Sequence, residues 1–340
     1  MNTPHTEWTA QEIMHMSGAY WAGCAVQAAV QLDMFTALGD RRMELDDLAA
    51  RTGCDPRALG MLATALAALG FLARDGNTLG ATASARRYLS KDSPEYAGFI
   101  ILHHASLIPL WAQLADAVRT GKPARAGSAS HIGSEEEREA FLMGMFNVAV
   151  QQAGTIAAAI DLSGRKRLLD LGGGPGTYAV HFCLANPRLS AIVYDMPTTR
   201  RFADDVVRRH KMSGRIDFIG GDFLRDDIPG GCDVVWISQI LHGESPEDAA
   251  MLVGKAACSL AVGGVMYIQD FVLDDSRSGP AHPALFSLNM LVGTRGGQSY
   301  TDGELRAMMR DAGLTDIRRI DIPLPSGCAI IAGTKKEASC

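Results

Sequence analysis

Leu168-Leu-Asp-Leu-Gly-Gly-Gly-Pro-Gly-Thr177 lies near the middle of the 340-residue chain, and its reading decides the fold. A short apolar run with no helical period stops at Asp170-Leu171, and a glycine cluster follows. Tyr178-Ala-Val-His-Phe-Cys-Leu-Ala185 then reads as a helix. Strand, glycine turn and helix in that order open a nucleotide-binding α/β unit. Many folds turn on glycines, so the surroundings must carry the rest of the inference.

Downstream, apolar runs alternate with helical segments, and strands are expected at 167–171, 190–195, 216–220, 232–237, 264–270, 316–321 and 328–333. Such alternation implies a mainly parallel sheet covered on both faces. The last run follows its predecessor through only Pro323-Leu-Pro-Ser-Gly, too short for a crossover helix, so it should return antiparallel.

Upstream the chain reads mostly helical. One helix is expected over 12–38, with apolar positions at Ile13, Met16, Tyr20 and Cys24, then a short one at 44–53 closed by glycine. Asp55-Pro56 starts another that runs to Leu69, and a hairpin around Asp75-Gly76-Asn77 follows. Two short helices and a hairpin form a winged helix-turn-helix pattern. As a DNA reader it is poorly equipped. The candidate recognition helix carries only Arg57, whereas groove binding needs Arg, Lys, Asn or Gln. Its surplus of alanine and leucine suits a homodimer interface better. Further helices are expected over 94–120 and 134–160, with a loop at 122–134 between them. The change of character near 160 places an N-terminal domain at 1–160 and a ligand-binding domain at 161–340.

Composition bounds the function. A hydrophobic content of 47%, 21% charged residues and a net charge of −6 describe an ordinary soluble domain pair with no basic balance for nucleic acid. Seven cysteines are scattered without a Cys-x-x-Cys pair or a metal-ligand pattern, which fits free thiols, no metal and a cytoplasmic location. No stretch reads as a membrane span or a signal peptide.

In an open parallel sheet, ligands bind beyond the carboxyl ends of the strands. The first strand end offers Asp170 and Gly172-Gly-Gly-Pro-Gly176. The second ends in Asp195, an acid suited to ribose hydroxyls, and the third in Gly220-Gly-Asp-Phe223, an acid and a ring suited to adenine. The fourth delivers His242 ahead of a helix capped by Ser245, and the fifth ends at Asp270. Five polar strand ends on one sheet edge indicate a nucleoside site. The glycines run Gly-x-Gly-x-Gly, and Thr177 occupies the place of the third glycine that a dinucleotide turn requires. No basic partner for a phosphate stands nearby. Both features favour S-adenosylmethionine over NAD.

The chain resembles the O-methyltransferases of the caffeic acid, flavonoid and acetylserotonin type and their bacterial antibiotic-pathway relatives, over nearly its whole length. The resemblance rests on Trp111-Ala-Gln-Leu-Ala-Asp-Ala-Val-Arg-Thr-Gly-Lys-Pro123, Asp170-Leu-Gly-Gly-Gly-Pro-Gly176, Tyr194-Asp-Met-Pro197, Gly220-Gly-Asp-Phe223 and Ile240-Leu-His242, in that order. It implies a seven-strand Rossmann-like sheet, mainly parallel with the last strand antiparallel, and an N-terminal winged-helix dimerisation domain. It also implies that Gly172, Asp195, Asp222, Phe223 and Ser238 contact the cofactor, joined here by Gly174, Met196 and Gly221 beside them. His242 would be the general base for methyl transfer to a small, aromatic acceptor, and Asp270 the acid that orients it. An acceptor pocket is expected between the domains from Met143, Phe146, Asn147, Val150, Phe286, Asn289 and Met290, apolar and flexible enough for a flat ring system.

Four positions depart from the family pattern. Gly243-Glu244 follow the histidine where the family has Asp-Trp, Ser299 stands where a second acid is usual, and Ser238 replaces a common Lys. These changes touch the cofactor site little and bear on the acceptor and the base. Two other readings follow from the same residues: a cofactor-binding relative that hydroxylates, decarboxylates or cyclises without methyl transfer, and a ligand-sensing winged-helix regulator.

Overall fold

The computed structural model describes residues 7–125 and 134–336, and the chain divides into two compact units, Met1–Ser106 and Leu107–Cys340. Most of the loop expected at 122–134 lies outside the described residues.

The first unit runs α1 (Ala10–Ser17), α2 (Tyr20–Gln31), α3 (Met34–Leu38), β1 (Arg42–Glu44), α4 (Leu45–Thr52), α5 (Pro56–Ala68), β2 (Leu72–Asp75), β3 (Thr78–Ala81) and α6 (Ala83–Leu89). The single helix expected over 12–38 is three. A capping box between Thr9 and Glu12 starts α1, Gly18 closes it, and Asp33 turns left-handed ahead of α3. At α5 the Asp55 side chain accepts from the Ala58 N–H with Pro56 in the first turn, and Gly53 ends α4 in the left-handed region. The three strands pair antiparallel in the order β1-β3-β2. Met34, Phe35, Leu48, Leu59, Leu66 and Leu79 form the buried core.

The helix spanning the division is α7 (Gly98–Trp111), and α8 (Leu114–Thr120) and α9 (Glu135–Ala159) follow it. Next come β4 (Arg167–Leu171), α10 (Thr177–Ala185), β5 (Ser190–Asp195), α11 (Arg200–Arg209), β6 (Ile216–Gly220) and β7 (Cys232–Ser238). α12 (Pro246–Ser259), β8 (Leu260–Phe271), α13 (Ala281–Gly293), α14 (Asp302–Asp311), β9 (Leu314–Arg319) and β10 (Cys328–Lys335) follow. The compact units part well before residue 160, where the sequence alone placed the change. The reason is α9, whose Ala153, Ile156 and Ala157 share a buried core with Phe182 and Trp236 of the sheet unit.

The seven strands stand in the order β6-β5-β4-β7-β8-β10-β9. β10 runs antiparallel to both β8 and β9, and the other neighbouring pairs are parallel. Alternation along each strand feeds two cores. Leu168, Val193, Val234 and Trp236 pack under α9, α10 and α11, whereas Leu169, Ile192, Val235 and Ile268 pack under α12 and α14. The chain leaves β4 for β5 on one side and returns to β7 on the other, which opens a crevice at the switch point.

Among the described residues no single helix is long and apolar enough to cross a membrane, and no group of three or more His, Cys, Asp or Glu is placed to hold a metal ion. Cys24, Cys54, Cys183, Cys232 and Cys328 are free thiols, as the scattered pattern implied. Cys258 departs from that expectation, being disulfide-bonded.

Candidate active site

The glycine turn is held by its own strand and by the next. Asp170, buried at the end of β4, accepts the Ala179 N–H of α10 at 3.1 Å. A Cβ at Gly173 would come within 2.6 Å of that carboxyl carbon, so the turn closes over Asp170 only with glycine there. Burial pushes the Asp170 carboxyl up to about 7, with the negative charge of Asp195 adding to the effect. Its folded value therefore lies above the unfolded carboxylate range near ~3.9. A raised acid stabilises the fold fully below the unfolded value, and that contribution is lost as pH climbs through about 7. Asp170→Asn should therefore melt higher relative to wild type at pH 8 than at pH 5, by roughly 2–4 °C or more. A difference independent of pH would contradict this assignment.

Asp195, at the end of β5, ties three expected residues together. Its carboxylate accepts from the Gly174 N–H at 2.8 Å, the Met196 N–H at 2.7 Å and the Thr199 hydroxyl at 2.9 Å. Burial raises its pKa, and these hydrogen bonds oppose the shift. The Gly221 N–H donates to the Asp195 carbonyl at 3.0 Å, which brings the end of β6 against the end of β5. Asp222 accepts from the Leu224 N–H at 3.0 Å, and the half-buried Phe223 packs on the core beneath. Gly172, Gly174, Asp195, Met196, Gly221, Asp222 and Phe223 thus stand together at or just beyond the carboxyl ends of β4, β5 and β6.

These groups fit S-adenosylmethionine. Backbone N–H groups and carboxylates make the described hydrogen bonds at the turn, with no cation of the kind a pyrophosphate would need. Carboxylates at neighbouring strand ends suit a positively charged sulfonium better than a phosphate. Gly172, at φ +68°, has Ile240 Cδ1 only 2.4 Å from where its Cβ would be, so only glycine lets the turn pack against Ile240. Ser238, at the end of β7, donates to Gln269 Oε1 at 2.9 Å.

His242 sits in the 3₁₀ turn Leu241–Gly243 just ahead of α12, whose Ser245 N-cap and Pro246 match the sequence reading. Its Nδ1 lies 2.6 Å from Asp270 Oδ1, and its backbone N–H donates to Asp270 Oδ2 at 3.3 Å. The Phe271 N–H also donates to Asp270 Oδ1, at 2.8 Å. Both side chains are largely buried, at 11% and 3% exposure. A fixed carboxylate on Nδ1 leaves Nε2 as the ring's other polar atom.

Aromatic rings collect around this pair. Phe286 meets the His242 ring edge-on at 4.7 Å and packs on Phe271 at 4.6 Å, while His282 meets Phe271 at 4.8 Å. Phe271 and His282 were not among the sequence candidates. A strand-end residue and a helix start carry no periodic signal that distinguishes them.

The expected pocket residues divide. Phe286, Asn289 and Met290 lie on α13, where the Asn289 side-chain carbonyl accepts from Trp111 Nε1 at 2.9 Å. Met143, Phe146, Asn147 and Val150 lie half-buried on α9, and Phe146 packs against the core under the sheet. Ser299 is fully buried; its hydroxyl donates to the Pro283 carbonyl at 2.8 Å, and its N–H donates to the Ser287 hydroxyl. It anchors α13. Glu244 is half-buried, and burial together with Asp248 and Asp222 raises its carboxyl pKa.

Comparison with known proteins agrees with this arrangement. Residues 111–315 match the O-methyltransferase domain and residues 14–91 the O-methyltransferase dimerisation domain. The chain is 33% identical to a 3-hydroxy-5-methyl-1-naphthoate 3-O-methyltransferase of Streptomyces sahachiroi, covering 98% of this chain and 97% of that one. It is also 33% identical to the tetracenomycin polyketide synthesis 8-O-methyl transferase TcmO of Streptomyces glaucescens, over 96% and 98% of the two chains. Among solved structures, PigF with SAH superposes with a TM-score of 0.87 at 27% identity, covering 96% of this chain and 100% of that one.

Proposed function

The chain belongs to the O-methyltransferase family, whose members are S-adenosylmethionine-dependent enzymes of small molecules, and on that premise we propose that it methylates an aromatic hydroxyl with His242 as general base. The observation that carries this reading is the His242–Asp270 contact of 2.6 Å beside the rings of Phe271 and Phe286. Bound S-adenosylmethionine supplies a methyl group on a sulfonium, already activated for transfer. The protein's work is then to align the acceptor and manage its proton.

A phenol ionises only near pH ~10, so at neutral pH a base must take its proton as the new bond forms. Asp270 holds Nδ1 and so presents Nε2 as the acceptor. It also stabilises the imidazolium that results. The surrounding rings favour a flat apolar acceptor, and two relatives act on a hydroxynaphthoate and a tetracenomycin polyketide by name. Incubating the purified protein with methyl-labelled S-adenosylmethionine and a panel of hydroxynaphthoates and phenols tests the reading. A labelled aryl methyl ether is expected. Label on nitrogen or carbon alone would overturn it.

The N-terminal unit serves as a homodimer interface in this reading. Ile13, Met16, Tyr20 and Trp21 of α1 and α2 are each more than half exposed, which is costly for a free surface. Trp21→Asp is expected to sediment as a monomer where wild type is a dimer. A dimer retained by this variant would place the interface elsewhere.

A further inference from the structure

Helix α13 carries a second histidine beside the His242–Asp270 pair. His282 lies in its first turn, four residues before Phe286 and seven and eight before Asn289 and Met290, so all four share one face. Its ring meets Phe271 edge-on at 4.8 Å and stacks on Phe286 at 6.3 Å. His242 contacts the same two phenyl rings, Phe271 at 6.2 Å and Phe286 at 4.7 Å. Two imidazoles thus flank one pair of apolar rings. Their settings differ. The His242 side chain is 11% exposed and held by Asp270. His282 is exposed, and its ring nitrogens have no hydrogen bond among the described residues.

The start of α13 is fixed in place. The buried Ser299 hydroxyl donates to the Pro283 carbonyl at 2.8 Å, and the Ser299 N–H donates to the Ser287 hydroxyl at 2.8 Å. Gly327 packs so closely on Pro283 that a Cβ there would come within 2.7 Å of the Pro283 Cγ. A polar group on a rigid element loses little freedom when it binds, which is what selective recognition needs.

Chemistry narrows the ligand. Partial burial holds the His282 pKa below the usual imidazole range. At neutral pH the ring is therefore uncharged, with one N–H donor and one acceptor nitrogen. It matches a hydroxyl, which can donate and accept, or a carbonyl, which accepts. It offers no charge to a carboxylate. An aromatic acceptor lying along Phe271 and Phe286, with its reacting hydroxyl at His242, brings its far end to His282. We propose that His282 is a specificity-determining residue, hydrogen-bonded to a second oxygen substituent, hydroxyl or carbonyl, on the acceptor's remote ring. This rests on the proposed O-methylation with His242 as base, and narrows its substrate to oxygenated fused-ring arenes.

Steady-state kinetics of the full-length enzyme test it with three sets of acceptors. These are naphthols, dihydroxynaphthalenes with the added hydroxyl on the second ring, and hydroxynaphthoic acids with a carboxylate there. The readout is the ratio of kcat/KM, per hydroxyl, between a dihydroxynaphthalene and its parent naphthol. In wild type at least one isomer should give about fivefold or more, expressed in KM, the worth of one hydrogen bond at a part-open site. His282→Phe keeps a ring against Phe271 but removes both nitrogens, and the exposed position tolerates the change. There the ratio should fall to about twofold or less. A wild-type ratio of about one for every isomer, or a ratio that His282→Phe leaves intact, would overturn the proposal while the methylation reading stands. A stronger preference for the hydroxynaphthoic acids, lost in His282→Phe, would overturn it by making the partner a carboxylate. No methyl transfer to any of these acceptors would overturn the methylation reading itself, and this inference with it.

Discussion

His242→Ala should fold, bind S-adenosylhomocysteine within about twofold of wild type and lose about 10²–10⁴-fold in turnover. The separation follows from position. His242 faces Asp270 and Phe286, whereas the contacts that organise the cofactor side run through Gly174, Asp195 and Gly221. Removing the imidazole deletes the proton acceptor without disturbing those bonds. Asp270→Asn sharpens the test. It keeps the shape but replaces a charged acceptor at Nδ1 with an amide, so turnover should fall while cofactor affinity holds. An Asp270→Asn enzyme with full turnover would show that the 2.6 Å contact is structural only.

Gly221→Ala should lose both stability and cofactor affinity. A Cβ at Gly221 would lie 2.1 Å from the Tyr194 hydroxyl oxygen and 2.6 Å from the ring carbon that bears it. Tyr194 is buried, so relief must come from moving the loop that carries Asp222 and Phe223. Overpacking of this kind costs about 1–3 kcal/mol. Displacing the loop also breaks the Gly221 N–H bond to the Asp195 carbonyl, so a drop of about tenfold or more in S-adenosylhomocysteine affinity is expected. Tyr194→Phe in the same chain removes the atom at 2.1 Å but not the carbon at 2.6 Å, so recovery should be partial. Unchanged melting and binding in Gly221→Ala would mean that the loop yields freely.

The sheet was legible because its signal is local and repeated. Each of the seven expected strands forms, and the central parallel ones were plainest because a strand buried on both faces is a continuous apolar run such as Ala191–Tyr194. The return of β10 was readable from the length of its connection alone. The strand-end acids were readable too, because topology puts every strand's carboxyl end on one edge. Helix breaks were harder to read. Gly18 and Asp33 interrupt an apolar pattern that stays periodic through them, so 12–38 read as one helix. The compact-unit division was also hidden, because α9 belongs to the sheet unit by packing while preceding it in sequence. Phe271 and His282 escaped notice for a related reason. Their meaning comes from ring neighbours that only the fold supplies, His242 and Phe286 for Phe271 and Phe271 for His282. Ser299 stood out as a missing acid, and the structure shows instead a buried hydroxyl that ties down α13.

The central claim is that His242 removes the acceptor's proton as methyl transfer proceeds. The most direct measurement compares kcat/KM of wild type and His242→Ala across phenols of graded acidity at one pH. Acceptors already ionised in solution need no base, so the gap between the two enzymes should close as acceptor acidity rises. A gap that stays constant across the series would contradict the account and leave His242 a structural residue.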